Sequence, residues 1–233
     1  MDLARATALI TGANRGLGRA LAVALIDRGA TVYAGARDPD RVDVAGAKPL
    51  RLDLTDPASI SEAAAAAGDV TLLINNAGSS TGADLLTGDL ARIRVEMDTH
   101  FFGTLAVTRA FAPVIESNGG GGVLNILSVL SWISLPQVGA YAAAKSAEWS
   151  LTNSLRLQLA PRGIRVAGLH VGFMDTDMAR GVTVPKADPD DVARAALDAL
   201  AADADEVVVD ELSKATLARL SGGVVALYPQ LAA

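Results

Sequence analysis

Tyr141 and Lys145 stand four residues apart in the segment Tyr141-Ala142-Ala143-Ala144-Lys145. On a helix that spacing puts both side chains on one face. A tyrosine with a pKa near ~10 is an adequate acid and a poor base. A neighbouring ammonium favours the phenolate and brings the phenol's proton within reach of neutral pH. Such a pair suits a reaction that leaves an alkoxide in need of a proton, as hydride addition to a carbonyl does. An isolated Tyr-x-x-x-Lys is more often a surface lysine beside a half-buried tyrosine, so its surroundings decide. Ser128, thirteen residues earlier, closes the apolar run Val123–Leu127. The carboxyl end of a parallel strand is where such sheets carry their chemistry. Ser131 is a competing hydroxyl, but its place in the following loop favours Ser128.

A second constellation is Thr11-Gly12-Ala13-Asn14-Arg15-Gly16-Leu17-Gly18. It follows an apolar run and opens a helical pattern. Glycines there let the backbone turn tightly and approach a pyrophosphate. The helix start offers free N–H groups and the positive end of its dipole. The spacing is Gly-x-x-x-Gly-x-Gly, which in isolation is also compatible with an ordinary loop.

The elements that must position these residues alternate along the chain. The runs Ala6–Ile10, Thr31–Ala34, Pro49–Leu52, Val70–Ile74, Gly122–Leu127, Ile164–Leu169 and Glu206–Val209 read as seven strands, mostly apolar on both faces. Helical patterns fill Gly16–Arg28, a stretch opened by Asp56 and Pro57, Leu90–Ser117 with a break near Thr99, Ala140–Leu159, Asp190–Ala202 and Glu211–Leu220. This alternation predicts an α/β fold: one Rossmann-type, doubly wound, seven-stranded parallel sheet with helices on both faces, spanning residues 1–233 as a single domain. The polar segment 175–188 reads as a short substrate flap.

Bulk properties agree. The chain has 233 residues, 51% of them hydrophobic and 20% charged, enough for a sizeable core. A net charge of −6 argues against a general nucleic-acid binder. The absence of cysteine removes disulfides, zinc-thiolate sites and thiol nucleophiles, and no metal site is expected. No run is long and apolar enough to suggest a membrane span, and the start of the chain lacks the layout of a signal peptide, so a cytoplasmic location is the expectation.

With these motifs in place, the chain resembles the short-chain dehydrogenase/reductase family from Thr11 to about Glu211. The resemblance rests on Thr11–Gly18, on Asn75-Asn76-Ala77-Gly78, on the spacing of Ser128, Tyr141 and Lys145, and on Gly172 with Thr176. It implies that Ser128 hydrogen-bonds a substrate carbonyl and that Tyr141 is the proton donor. Lys145 would tune the tyrosine and bind the nicotinamide ribose. It also implies cofactor contacts from Gly12, Asn14, Arg15, Gly16, Leu17 and Gly18, from Asp53 and Leu54 at the adenine, and from Asn76, Ala77 and Gly78 at its ribose. Val171, Gly172, Phe173, Met174 and Thr176 would meet the nicotinamide end. Val171 replaces a common family proline. His100 stands where the family often has an asparagine that holds a relay water. An imidazole there can hold that water, carry protons itself or break the relay.

An NAD enzyme would place an acid at the end of strand two. This chain has Ala36 there, followed by Arg37, with Arg15 in the glycine turn. Two guanidiniums suit a 2′-phosphate, so NADPH/NADP+ is expected over NADH; Asp38, one residue on, offers Arg37 a competing partner. Leu130, Trp132, Val138, Phe173 and Met178 read as an apolar substrate pocket, each equally compatible with core or interface. The expected activity is hydride transfer between NADP(H) and a small or medium hydrophobic carbonyl or alcohol, in a homodimer or homotetramer. The alternatives are a non-catalytic NADPH-binding scaffold or sensor, a reductase of C=N (imine) substrates, or another Rossmann nucleotide binder such as a methyltransferase.

Overall fold

The computed structural model describes residues 1–231. Seven strands form one sheet, all parallel, in the order β3-β2-β1-β4-β5-β6-β7. They are β1 (Thr7–Thr11), β2 (Thr31–Ala36), β3 (Lys48–Arg51), β4 (Leu72–Asn75), β5 (Gly121–Ile126), β6 (Ile164–His170) and β7 (Glu206–Val208). The order reverses between β1 and β4, and a parallel sheet opens a crevice there at its carboxyl edge.

Helices cover both faces, as strands apolar on both sides require. The helices α1 (Gly16–Asp27), α2 (Pro57–Ala66), α3 (Leu90–Met97), α4 (Thr104–Ser117), α5 (Gly139–Leu159), α6 (Pro189–Ala201), α7 (Glu211–Arg219) and α8 (Gly223–Leu227) follow in chain order. One core packs α1 and α6 on the sheet through Leu17, Leu21, Leu25, Val192, Ala196 and Leu197. The opposite core packs α2, α4 and α5 through Ile60, Phe111, Ile115, Leu151 and Leu155. The start of α2 follows its sequence signal: Asp56 accepts a hydrogen bond from Ala58 N, and Pro57 takes the first turn.

The break expected near Thr99 is a wider π-helical turn, Asp98–Gly103, between α3 and α4. Such turns re-aim side chains, commonly at functional sites. Inside the second core runs a ladder of polar groups. Asn75 Nδ2 donates to Asn125 Oδ1 at 2.8 Å and to Thr108 Oγ1 at 3.1 Å, and Asn125 Nδ2 donates to Thr152 Oγ1 at 2.9 Å. The ladder pins α4 and α5 to β4 and β5 and so fixes the helix that carries Tyr141 and Lys145.

Candidate active site

The carboxyl ends of β1, β2, β4, β5 and β6 border a cleft of about 690 Å³. On one side lies the glycine turn. Gly12 and Gly16 take φ of +68° and +54°, a region where other residues are strained. Asn76 braces the turn, its Nδ2 donating to Thr11 O at 2.9 Å and to Gly12 O at 3.2 Å. Thr11 Oγ1 accepts from the backbone of both Asn76 and Ala77 at 2.9 Å. The first turn of α1 has no side-chain cap, so its N–H groups remain available to an anion. An uncapped helix start, an open cradle and a facing wall of Asn76, Ala77 and Gly78 fit a dinucleotide pyrophosphate. Gly18 does not line the cleft. A Cβ there would lie 2.3 Å from Gly12 O, so this glycine holds helix and turn together.

Asn14, Arg15, Gly16, Leu17, Arg37, Asp53, Leu54, Val171, Gly172, Met174 and Thr176 also line the cleft. Among the described residues Arg37 is exposed and makes no ion pair. The competing Asp38 instead caps a short turn by accepting from Asp40 N. Arg15 pairs with Asp177 at 3.2 Å, an exposed contact of the kind worth little. Asp53 accepts from Thr55 Oγ1 at 2.7 Å. Gly172 N donates to Asp210 Oδ2 at 2.7 Å, which ties the loop after β6 to the start of α7. The segment 175–188 is bound at its base, where Met174 bridges Ala187 and Lys186 pairs with Asp175 at 2.9 Å.

On the other side Ser128, Tyr141, Lys145 and His100 meet at the cleft. Ser128 Oγ accepts from Leu130 N at 3.1 Å, which leaves its own hydrogen free to donate. Ser131 turns inward and accepts from Ser128 N, so it supports Ser128 and does not line the cleft. Lys145 is buried, with Nζ 5.9 Å from the centroid of the Tyr141 ring. Its ammonium donates to Ile126 O and to Glu148 Oε2, each at 2.7 Å. The expected pull of Lys145 on Tyr141 has the right sign but is outweighed. Burial comes first in raising the phenol's pKa, and the Glu148 and Glu96 charges add to it against Lys145 and Ser128.

Most of the expected apolar pocket lies elsewhere. Leu130, Trp132 and Val138 pack in a small cluster beside Tyr141, and neither they nor Phe173 line the cleft; Met178 does. The chain turns away after Ser128, and Trp132 stacks on buried His170 with ring centroids 3.8 Å apart. Sequence reading also missed Glu96 and Glu148, two buried carboxylates at this site. Their spacing held the signal: Glu96 and Lys145 each have an ionisable partner three or four residues on, namely His100 and Glu148.

The short chain dehydrogenase family profile matches residues 6–186. The chain belongs to this family of oxidoreductases. Among its relatives, the NADPH-dependent 1-acyldihydroxyacetone phosphate reductase of Schizosaccharomyces pombe is 33% identical over 177 residues, which covers 72% of this chain and 60% of that protein. The 3-oxoacyl-(acyl-carrier-protein) reductase FabG of Salmonella typhimurium is 33% identical over 193 residues, 76% of each chain. A short chain dehydrogenase from Burkholderia cenocepacia J2315, crystallised in complex with NADP, superposes with a TM-score of 0.95 at 37% identity over the whole of both chains. No helix among the described residues is long and apolar enough to cross a membrane, and no group of potential metal ligands occurs among them.

Proposed function

We propose that this chain transfers hydride between NADP(H) and a small or medium hydrophobic carbonyl or alcohol, with Tyr141 as general acid and base. The observation that carries the reading is the meeting of Ser128, Tyr141 and Lys145 at one cleft with the open glycine cradle. The cofactor, when bound, supplies or accepts the hydride. The uncapped start of α1 would hold its pyrophosphate, Asp53 and Leu54 its adenine, and the loop from Val171 to Thr176 its nicotinamide end. Arg37, free of an ion pair and next to Ala36, would take a 2′-phosphate bidentately. The NADP-bound Burkholderia cenocepacia structure and the NADPH-dependent relative support that choice.

In reduction, Ser128 donates its hydroxyl hydrogen to the carbonyl oxygen and orients it. Tyr141 delivers its proton to that oxygen as charge develops there. Lys145 keeps a fixed positive charge beside the phenol. It is held above its ordinary value because, although burial pulls it down, Glu148 and Tyr141 pull it up more strongly. Val95, Met174 and Met178 supply apolar surface on the cleft wall, which suits a hydrophobic substrate. A second copy would cover exposed apolar side chains such as Phe102 and Leu157. The test is loss of reduced-nicotinamide absorbance with a panel of ketones and aldehydes, run with NADPH and NADH. Turnover with NADPH supports the reading; binding of NADPH without turnover of any panel member rejects it in favour of a scaffold.

A further inference from the structure

Beneath Tyr141 and Lys145 three ionisable side chains follow one another, all buried: Glu148, His100 and Glu96. Glu148 Oε2 accepts from Lys145 Nζ at 2.7 Å, and its Oε1 accepts from Thr104 Oγ1 at 3.1 Å. His100 Nδ1 lies 3.8 Å from the same Oε2 and has no hydrogen-bond partner among the described residues. The other ring nitrogen, Nε2, sits 2.8 Å from Ser79 O and 3.3 Å from Ser79 N; the shorter contact, to the carbonyl, assigns the hydrogen to Nε2. Nδ1 is then a vacant acceptor directed at Glu148. Nε2 is also 3.6 Å from Glu96 Oε2, which accepts from the half-exposed Ser79 hydroxyl at 3.1 Å. Buried ionic groups add little to stability, and apolar side chains of similar size serve at least as well. Two carboxylates around one buried imidazole therefore point to proton chemistry.

We propose that Glu148, His100 and Glu96 form a proton chain from the Ser79 loop to Lys145 that sets the protonation of the Tyr141–Lys145 pair. This rests on the reading of Tyr141 as the group that exchanges a proton with substrate. Glu148 and Glu96 are positioning residues, since neither lines the cleft. In alcohol oxidation the substrate O–H bond breaks and an O–H bond forms on Tyr141. That proton then moves on: a Lys145 N–H bond breaks as an O–H bond forms at Glu148 Oε2, and the Tyr141 O–H bond breaks as Lys145 regains its third N–H, so the ammonium charge is kept. As the Glu148 O–H bond breaks, an N–H bond forms at His100 Nδ1 while the one at Nε2 breaks toward Glu96. The Glu96 O–H bond then breaks as the proton passes to solvent at Ser79, and the imidazole regains its Nε2–H form by proton exchange before the next turnover. Reduction runs the same path inward. The groups facing His100 are Glu96 from α3, Glu148 and the edge-on Tyr141 ring from α5, and Ser79 from the loop after β4, with Lys145 paired to Glu148. Asp98 on its own turn points outward.

The test uses the NADP+-saturated enzyme oxidising an alcohol from neutral to alkaline pH, with ultraviolet titration of Tyr141 run beside it. Glu148→Gln keeps the shape and removes the charge that offsets Lys145. The rise in rate and the tyrosinate signal should both move to lower pH by about one unit. Glu96→Gln, acting from further away, should move both in the same direction by less, and it carries the test should Glu148→Gln not fold. His100→Leu should lower the oxidation rate more than His100→Asn does. Profiles of the two Gln variants that superimpose on the parent's, or a His100→Leu variant as fast as the parent, would overturn the chain. Turnover retained in Tyr141→Phe would instead overturn the functional reading on which it rests.

Discussion

Lys145 Nζ lies 2.7 Å from Glu148 Oε2, and both side chains are buried. The ammonium lies 5.9 Å from the centroid of the Tyr141 ring. An uncompensated ammonium would pull that phenol toward ionisation. Here burial first, and the Glu148 charge with it, outweigh that pull and hold the phenol above its ordinary value.

A dependence on pH follows, with a definite sign. Burial first, and the nearby carboxylates next, hold Tyr141 above its ordinary value. Reduction needs the protonated phenol, so it should keep its rate until pH passes ~10. Oxidation needs the phenolate and should climb over that same alkaline range. Initial rates in both directions across pH check this. A reduction rate that falls between neutrality and pH ~8 would contradict it.

Arg37 should decide cofactor choice. Arg37→Ala is expected to weaken NADPH by roughly tenfold to a hundredfold, the loss of one charge-assisted contact worth about 1.5–3 kcal/mol, and to leave NADH nearly unchanged. Equal losses for both cofactors, measured as dissociation constants, would remove Arg37 from the 2′-phosphate.

Gly18→Ala should damage the cradle. Its Cβ would fall 2.3 Å from Gly12 O and 2.5 Å from Asn76 Nδ2, and the backbone carbonyl has little room to move. We expect a loss of about 1–3 kcal/mol in stability together with weaker dinucleotide binding. Gly68→Ala meets nothing within 4 Å and should stay within about 0.5 kcal/mol of the parent in urea unfolding. Similar midpoints for the two variants would contradict this.

The seven strands, the helices between them and the spacing of Ser128, Tyr141 and Lys145 were legible because each depends on local period or on a fixed spacing. The break near Thr99 was legible too, as a halt in the helical pattern. The substrate wall was not. Trp132 follows Ser128 closely, but a tight turn sends it onto His170, a contact 38 residues away in sequence that no local pattern encodes. Glu96 and Glu148 look like ordinary surface charges until α3 and α5 pack together and bury them. The helix α8 also went unseen: it is a short apolar stretch, followed by Tyr228, whose hydroxyl accepts from Ser134 N at 2.7 Å.

Glu96 should make the fold acid-sensitive. Burial alone would raise its carboxyl, but His100 and the hydrogen bonds from Thr81 outweigh this and lower it. A carboxylate with a depressed folded-state value adds stability that is complete above its unfolded value, ~4.3, and is lost as pH falls through the folded one. Thermal melts from neutral pH down to ~3 should therefore show a steeper loss for the parent than for Glu96→Gln. Parallel losses would show that Glu96 is not ionised in the native state.

The most direct test of the central claim is turnover of Tyr141→Phe at saturating NADPH, read beside its NADPH dissociation constant. In the proposed reaction the phenol hydroxyl would supply the proton, while the cradle at Gly12–Gly18 would hold the cofactor. Turnover should be abolished while NADPH binding stays within a few-fold of the parent. Turnover within about tenfold of the parent, a barrier change of only ~1.4 kcal/mol, would contradict the assignment of Tyr141 as the general acid.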